Sequence, residues 1–148
     1  MRLVNDSKAT NAHATAASLT SYDRVVWIAG GLLKGAVAGD FGGLIEQVRD
    51  RLAAVVLIGR DRAVIAQALQ RHAPDVRVID IASAEHRGMA EAVTVATDLA
   101  RAEAAEHGSE VVVLMAPAAA SMDMFVDYAE RGRVFTDAAR SQVGATHS

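Results

Sequence analysis

Residues 54–79 read AVVLIGRDRAVIAQALQRHAPDVRVI, and this stretch decides the fold. Ala54–Ile58 is an apolar, β-branched run with no polar alternation, the pattern of a strand covered on both faces. Gly59-Arg60-Asp61 breaks it, and Asp61 stands where a helix cap is needed. A helix is expected over 61–72, stopped by Pro74, with a second strand at Val76–Ile79. Strand, helix and strand at this spacing form one parallel crossover unit.

The same alternation extends in both directions. Arg2–Asn5, Val25–Ala29 and Val111–Met115 are further strand candidates, the last again nearly pure Val, Leu and Met. Ala54–Ile58, Val76–Ile79 and Val111–Met115 are all expected to be covered on both faces. Helices are expected near 12–19, 41–52, 86–106, 122–130 and 134–142. In the longest, Ala90, Val93, Ala96 and Ala100 mark an apolar stripe widened by Val95 and Leu99, and Gly108 supplies a stop. Gly144–Ser148 reads as a frayed tail. The expectation is a single α/β domain, with a Rossmann-like, mostly parallel sheet flanked by helices. Strand order does not follow from these patterns.

Composition narrows the function. The 148 residues are 51% hydrophobic and 4% aromatic, which suits helices on a buried sheet. Eighteen acidic against fifteen basic residues give a formal charge of −3, so no basic excess exists to neutralise a nucleic-acid backbone. Cysteine is absent, which removes disulfides, thiolate metal sites and a cysteine nucleophile. Met1–Asp6 lacks the apolar run of a secretory signal, and the uncharged apolar run Val111–Met122 is far short of the roughly 20 residues that span a bilayer. No membrane partner and a cytoplasmic location are expected.

No phosphate loop, dinucleotide-binding glycine motif, zinc-protease motif or nucleophile elbow occurs. The histidines at 13, 72, 86, 107 and 147 have no ligand spacing, and no metal site is expected in this chain. Three segments nevertheless fall at the carboxyl ends of strands, where open α/β sheets collect ligands. Asp6-Ser7-Lys8-Ala9-Thr10-Asn11 mixes an acid, a base and hydroxyls. It reads either as a cap for the first helix or as a polar loop presenting helix N–H groups to an anion. Gly30-Gly31-Leu32-Leu33-Lys34-Gly35 is a glycine turn beside a surface lysine, or a close backbone approach with Lys34 aimed at a carboxylate or phosphate. Ala116-Pro117-Ala118-Ala119-Ala120-Ser121 is a strand-to-helix turn in which Ser121 caps the helix, a role compatible with binding a carboxylate.

In this order the three segments resemble the Mur ligase family, and within it the members that add D-glutamate. Asp6–Asn11 is similar to the signature at the start of their C-terminal domain, and Gly30-Gly31-x-x-Lys34-Gly35 to their glycine–lysine loop. Residues Pro117–Phe125 resemble a Ser-Pro-Ala-Cys-Ala-Ser-x-Asp-x-Phe segment, and Arg131-Gly132-x-x-Phe135 a further Arg-Gly-x-x-Phe element. The likeness runs from Asn5 to about Phe135. Ala116 and Ala119 stand where the family often has serine and cysteine, Leu33 where it is often acidic, and residues 36–41 are slightly longer than usual.

The resemblance implies that residues 1–148 are the C-terminal, amino-acid-binding domain of a three-domain ligase. The N-terminal domain would hold UDP-N-acetylmuramoyl-L-alanine, and the central domain the phosphate loop and the Mg2+ ligands. ATP would phosphorylate the acceptor carboxylate, and the D-glutamate amine would attack the acyl phosphate. Carried over by residue, Lys34 and Ser121 would hold one D-glutamate carboxylate and Thr10 the other. Lys8 would lie beside substrate and nucleotide, Asp6 would face the ATP ribose, and Tyr128 would line the glutamate pocket. The rival reading is a standalone α/β module that binds an amino acid or nucleotide without catalysis.

Overall fold

The computed structural model describes residues 2–6, 12–30, 41–59, 61–81, 86–108, 110–116 and 128–147. The strands are β1 (Arg2–Asn5), β2 (Val25–Gly30), β3 (Leu52–Ile58), β4 (Arg77–Asp80) and β5 (Val112–Met115). Between and after them run α1 (Ala12–Leu19), α2 (Gly42–Val48), α3 (Arg62–His72), α4 (His86–His107) and α5 (Tyr128–His147). All four described pairings are parallel, in the order β1-β5-β2-β3-β4. The Rossmann-like expectation is met, and the strand order is new information.

Two apolar layers share this one sheet. On one face Trp27, Val55, Leu57 and Leu114 meet α1, α2 and α3 through Leu19, Ile45 and Ile65. On the other, Ile28, Val56, Val113 and Met115 meet α4 and α5 through Met89, Val93, Ala96 and Phe135. Alternate residues of β2, β3 and β5 therefore face opposite cores, which is why these strands read as unbroken apolar runs. Trp27 is fully buried, and its indole N–H donates to the Ala116 carbonyl at 2.6 Å. Truncating it to alanine would cost about 3–5 kcal/mol.

Several local expectations are corrected. Val76–Ile79 was expected to be covered on both faces, but β4 is an edge strand and Val78 is 37% exposed. Its apolar residues reflect β propensity at an edge rather than double burial. The helix expected over 41–52 ends at Val48; Arg49–Arg51 forms a 3-10 turn and Leu52 already belongs to β3. The helices expected at 122–130 and 134–142 are, from Tyr128 onward, one helix that continues to His147 in place of a frayed tail. Gly132 does not break it, because that position is buried against the rest of the domain. In α4 the inward stripe is Met89, Ala92, Val93, Ala96 and Ala100, while Ala90 faces solvent. Asp61 occupies the N-cap position of α3 without a side-chain cap bond. Gly108 ends α4 as expected, at φ +67°, with its N–H on the Ala104 carbonyl.

Candidate functional site

The strand order brings three strand ends together. Asn5 and Ile28 both pair with Met115, so β1, β5 and β2 reach the same level side by side. Beyond that row, the Asp6 N–H donates to the Met115 carbonyl at 2.8 Å and the Ala116 N–H to the Ile28 carbonyl at 3.3 Å. β2 continues two residues further, to Gly30. The connections leaving these ends are the three segments singled out above. At ordinary strand spacing their points of departure span about 10 Å.

They also diverge. The chain after β1 leads to α1 and the chain after β2 to α2, both on one face, whereas the chain after β5 leads to α5 on the other. In open α/β sheets a crevice opens where neighbouring connections part in this way, a condition met on each side of β5 and also between β3 and β4, which lead to α3 and α4 on opposite faces. Free backbone N–H groups and polar side chains in such a crevice suit an anion.

Of the residues proposed for ligand contact, Asp6 is described and is half-buried just past β1. Tyr128 is the first residue of α5. Lys8, Thr10, Lys34 and Ser121 lie outside the described residues, as do 7–11, 31–40 and 117–127. The departure points are thus adjacent.

The structure adds residues that local patterns did not single out. Gly30 has φ +121°, and a Cβ there would lie 1.9 Å from the Ile58 carbonyl oxygen. Its freedom from a side chain serves a close approach to β3, not to a ligand. Arg131 is 1% exposed and Phe135 2%, one helical turn apart on the face of α5 that meets the sheet. This accounts physically for the Arg-Gly-x-x-Phe spacing. Asn5 donates its side-chain amide to Gly132 and Thr136, tying β1 to α5. Its signal in the sequence was only its position before Asp6.

Away from the rim, a groove of about 480 Å3 runs between β1 and α5, bounded by Arg2, Leu3, Asn5, Phe135, Thr136 and Arg140. Glu103, Glu106 and His107 cluster near the end of α4, where Glu103 accepts two bonds from Arg24 at 2.8 and 3.0 Å. This cluster shares neither strand end nor helix with the rim. No helix among the described residues is long and apolar enough to cross a membrane.

An open five-stranded parallel sheet flanked by helices on both faces defines an α/β domain of the Rossmann-like class. No family model matches the chain. It is 53% identical over 141 residues to the UDP-N-acetylmuramoylalanine–D-glutamate ligase of Thermobifida fusca, covering 95% of this chain and 28% of that protein. The ligase of the same name in Streptomyces coelicolor is 51% identical over 142 residues, covering 96% and 28%. That of Mycolicibacterium smegmatis is 44% identical over 166 residues, covering 95% and 33%. The chain spans about a third or less of the length of these relatives, and the part it matches is their C-terminal portion. The chain belongs to the Mur ligase family.

Proposed function

We propose that this chain is the D-glutamate-receiving C-terminal domain of an ATP-dependent amide-bond ligase of peptidoglycan precursor synthesis. The observation that carries the reading is the side-by-side departure of the three motif segments from the level ends of β1, β5 and β2. A dianionic amino acid needs cations and hydroxyl donors converging from several directions, and this row of strand ends supports that convergence. Lys34 and Ser121 bind one carboxylate of D-glutamate and Thr10 the other. Lys8 lies between substrate and nucleotide, Asp6 meets the ATP ribose, and Tyr128 lines the pocket.

In this reading the acceptor, UDP-N-acetylmuramoyl-L-alanine, and the Mg2+ ligands belong to other domains of a cytoplasmic enzyme. The cluster at Glu103 does not fit a magnesium role, since it lies off the rim and is bonded to Arg24. The work of this chain is orientation. It holds the D-glutamate amine so that nitrogen attacks the acyl-phosphate carbon, the C–N bond forms, phosphate departs with the C–O electron pair, and the nitrogen gives up one proton to the departing phosphate. Alone, the chain neither hydrolyses ATP nor ligates D-glutamate, because it has no phosphate loop.

Lys34→Ala in the intact ligase tests this. The loss of a charge-assisted contact in a partly desolvated pocket costs about 2–5 kcal/mol, or roughly 30-fold to several-thousand-fold in kcat/KM for D-glutamate. Acceptor KM is expected to be unchanged. Ser121→Ala is milder, on the order of 1–3 kcal/mol, and arginine at 34 restores only part of the loss. Near-normal kcat/KM for D-glutamate in Lys34→Ala contradicts the assignment.

A further inference from the structure

β1 is a four-residue edge strand, hydrogen-bonded to β5 on one side only. Its last residue, Asn5, directly precedes Asp6 and the first motif segment. A short edge strand fixes its own end weakly, because no second neighbour holds it. Here a side chain substitutes for that neighbour. The Asn5 amide nitrogen donates to the Gly132 carbonyl at 2.9 Å and to the Thr136 hydroxyl at 3.0 Å. These bonds bridge 127 and 131 residues of sequence.

Both acceptors sit on α5, one turn apart, and the same helix begins at Tyr128. Its rotation is locked on the sheet side by the buried side chains of Arg131 and Phe135. The amide is therefore held against a rigid partner. We infer that Asn5 is a positioning residue for the proposed D-glutamate site, an inference that rests on the reading above. It holds the segment leaving β1 in register with the helix that Tyr128 opens, so that donors from two crevice walls meet one ligand.

The residue type fits the task. A neutral amide donates to a carbonyl and a hydroxyl at once, whereas a carboxylate would face the Gly132 oxygen with like charge. Removing the side chain has a limited folding cost, because Asn5 is exposed and the Thr136 hydroxyl has the Gly132 carbonyl four residues back as an alternative partner. What is lost is alignment between two parts of the site.

The test is steady-state kinetics of the intact ligase, varying D-glutamate and the acceptor separately. Asn5→Ala is expected to raise KM for D-glutamate about 10-fold while kcat stays within about threefold, as for a lost ground-state alignment. Acceptor KM stays unchanged, and the unfolding midpoint moves by only a few degrees, roughly what one exposed hydrogen bond is worth. Asn5→Asp has a larger effect in the same direction. Thr136→Val, which keeps one of the two acceptors, raises KM about two- to threefold.

An unchanged D-glutamate KM in Asn5→Ala overturns the inference. So does a parallel shift of both KM values with the unfolding midpoint, the mark of a merely structural tie. Lys34→Ala in the same assay separates the two levels. A defect there with a normal Asn5→Ala sinks the positioning role alone; no defect there sinks the site and the inference together.

Discussion

The carboxyl rim of the sheet has two halves built from similar residues, and they behave differently. At β3 and β4 the chain turns through Gly59 directly into α3, and the half closes on itself. Arg62 bonds Asp80 at the end of β4 and the Gly59 carbonyl at the end of β3. Glycine, aspartate and arginine there satisfy one another. At β1, β5 and β2 the connections part to opposite faces, and the ties between them come from behind: Trp27 to the Ala116 carbonyl, and Asn5 to α5. Residue type alone does not make a site. The connections part to opposite faces at β3 and β4 as well, to α3 and α4; what sets that half apart is the Arg62 side chain, which bridges the two strand ends.

The largest expected difference between the halves is at their glycines. Gly30→Ala drives a Cβ to 1.9 Å from a backbone oxygen of β3, and strand backbone has no room to yield. A loss of about 3–5 kcal/mol or outright misfolding is expected, measured by denaturant unfolding of the 148-residue chain. Gly59 has a left-handed backbone, φ +87°, which by itself should make Gly59→Ala cost about 1–2 kcal/mol. Equal losses at the two sites would mean that the close approach of β2 to β3 is not the constraint it appears in the geometry.

A smaller effect separates the halves functionally. Asp80→Ala removes the partner of Arg62 in a pair whose carboxylate is 59% exposed. Stability should fall by less than about 1 kcal/mol, and kcat/KM for D-glutamate in the intact ligase should stay within about threefold. A loss approaching that of Lys34→Ala would place substrate on the wrong half and break the comparison.

Much of the fold was legible because the inner strands announce themselves. Val55–Ile58 and Val112–Met115 are apolar without alternation since alternate side chains enter two different cores. Pro74 and Gly108 stop their helices by local chemistry that needs no tertiary context. Val78 misled because an edge strand keeps the same β-branched residues without the burial. The two short helices expected at 122–130 and 134–142 are, from Tyr128 onward, one helix that runs through the buried Gly132. The placement of β5 between β1 and β2 was not legible: it is a pairing between Asn5 and Met115, far apart in the chain, that no local period encodes. For the site, hydroxyls and lysines in three segments were readable. The Asn5 tie reaches a helix more than a hundred residues away, and the burial of Arg131 depends on how that helix packs, so only the assembled sheet reveals them.

The central claim is that D-glutamate binds on the β1, β5 and β2 half of the rim. Hydrogen exchange of the intact ligase, with and without D-glutamate at saturating acceptor and a non-hydrolysable ATP analogue, tests it most directly. The account predicts D-glutamate-dependent protection in peptides covering residues 6–11, 31–37 and 117–128. Peptides covering 59–62 and 81–86 should exchange as before. Protection confined to 59–62 and 81–86, or absent from all three motif segments, would contradict it.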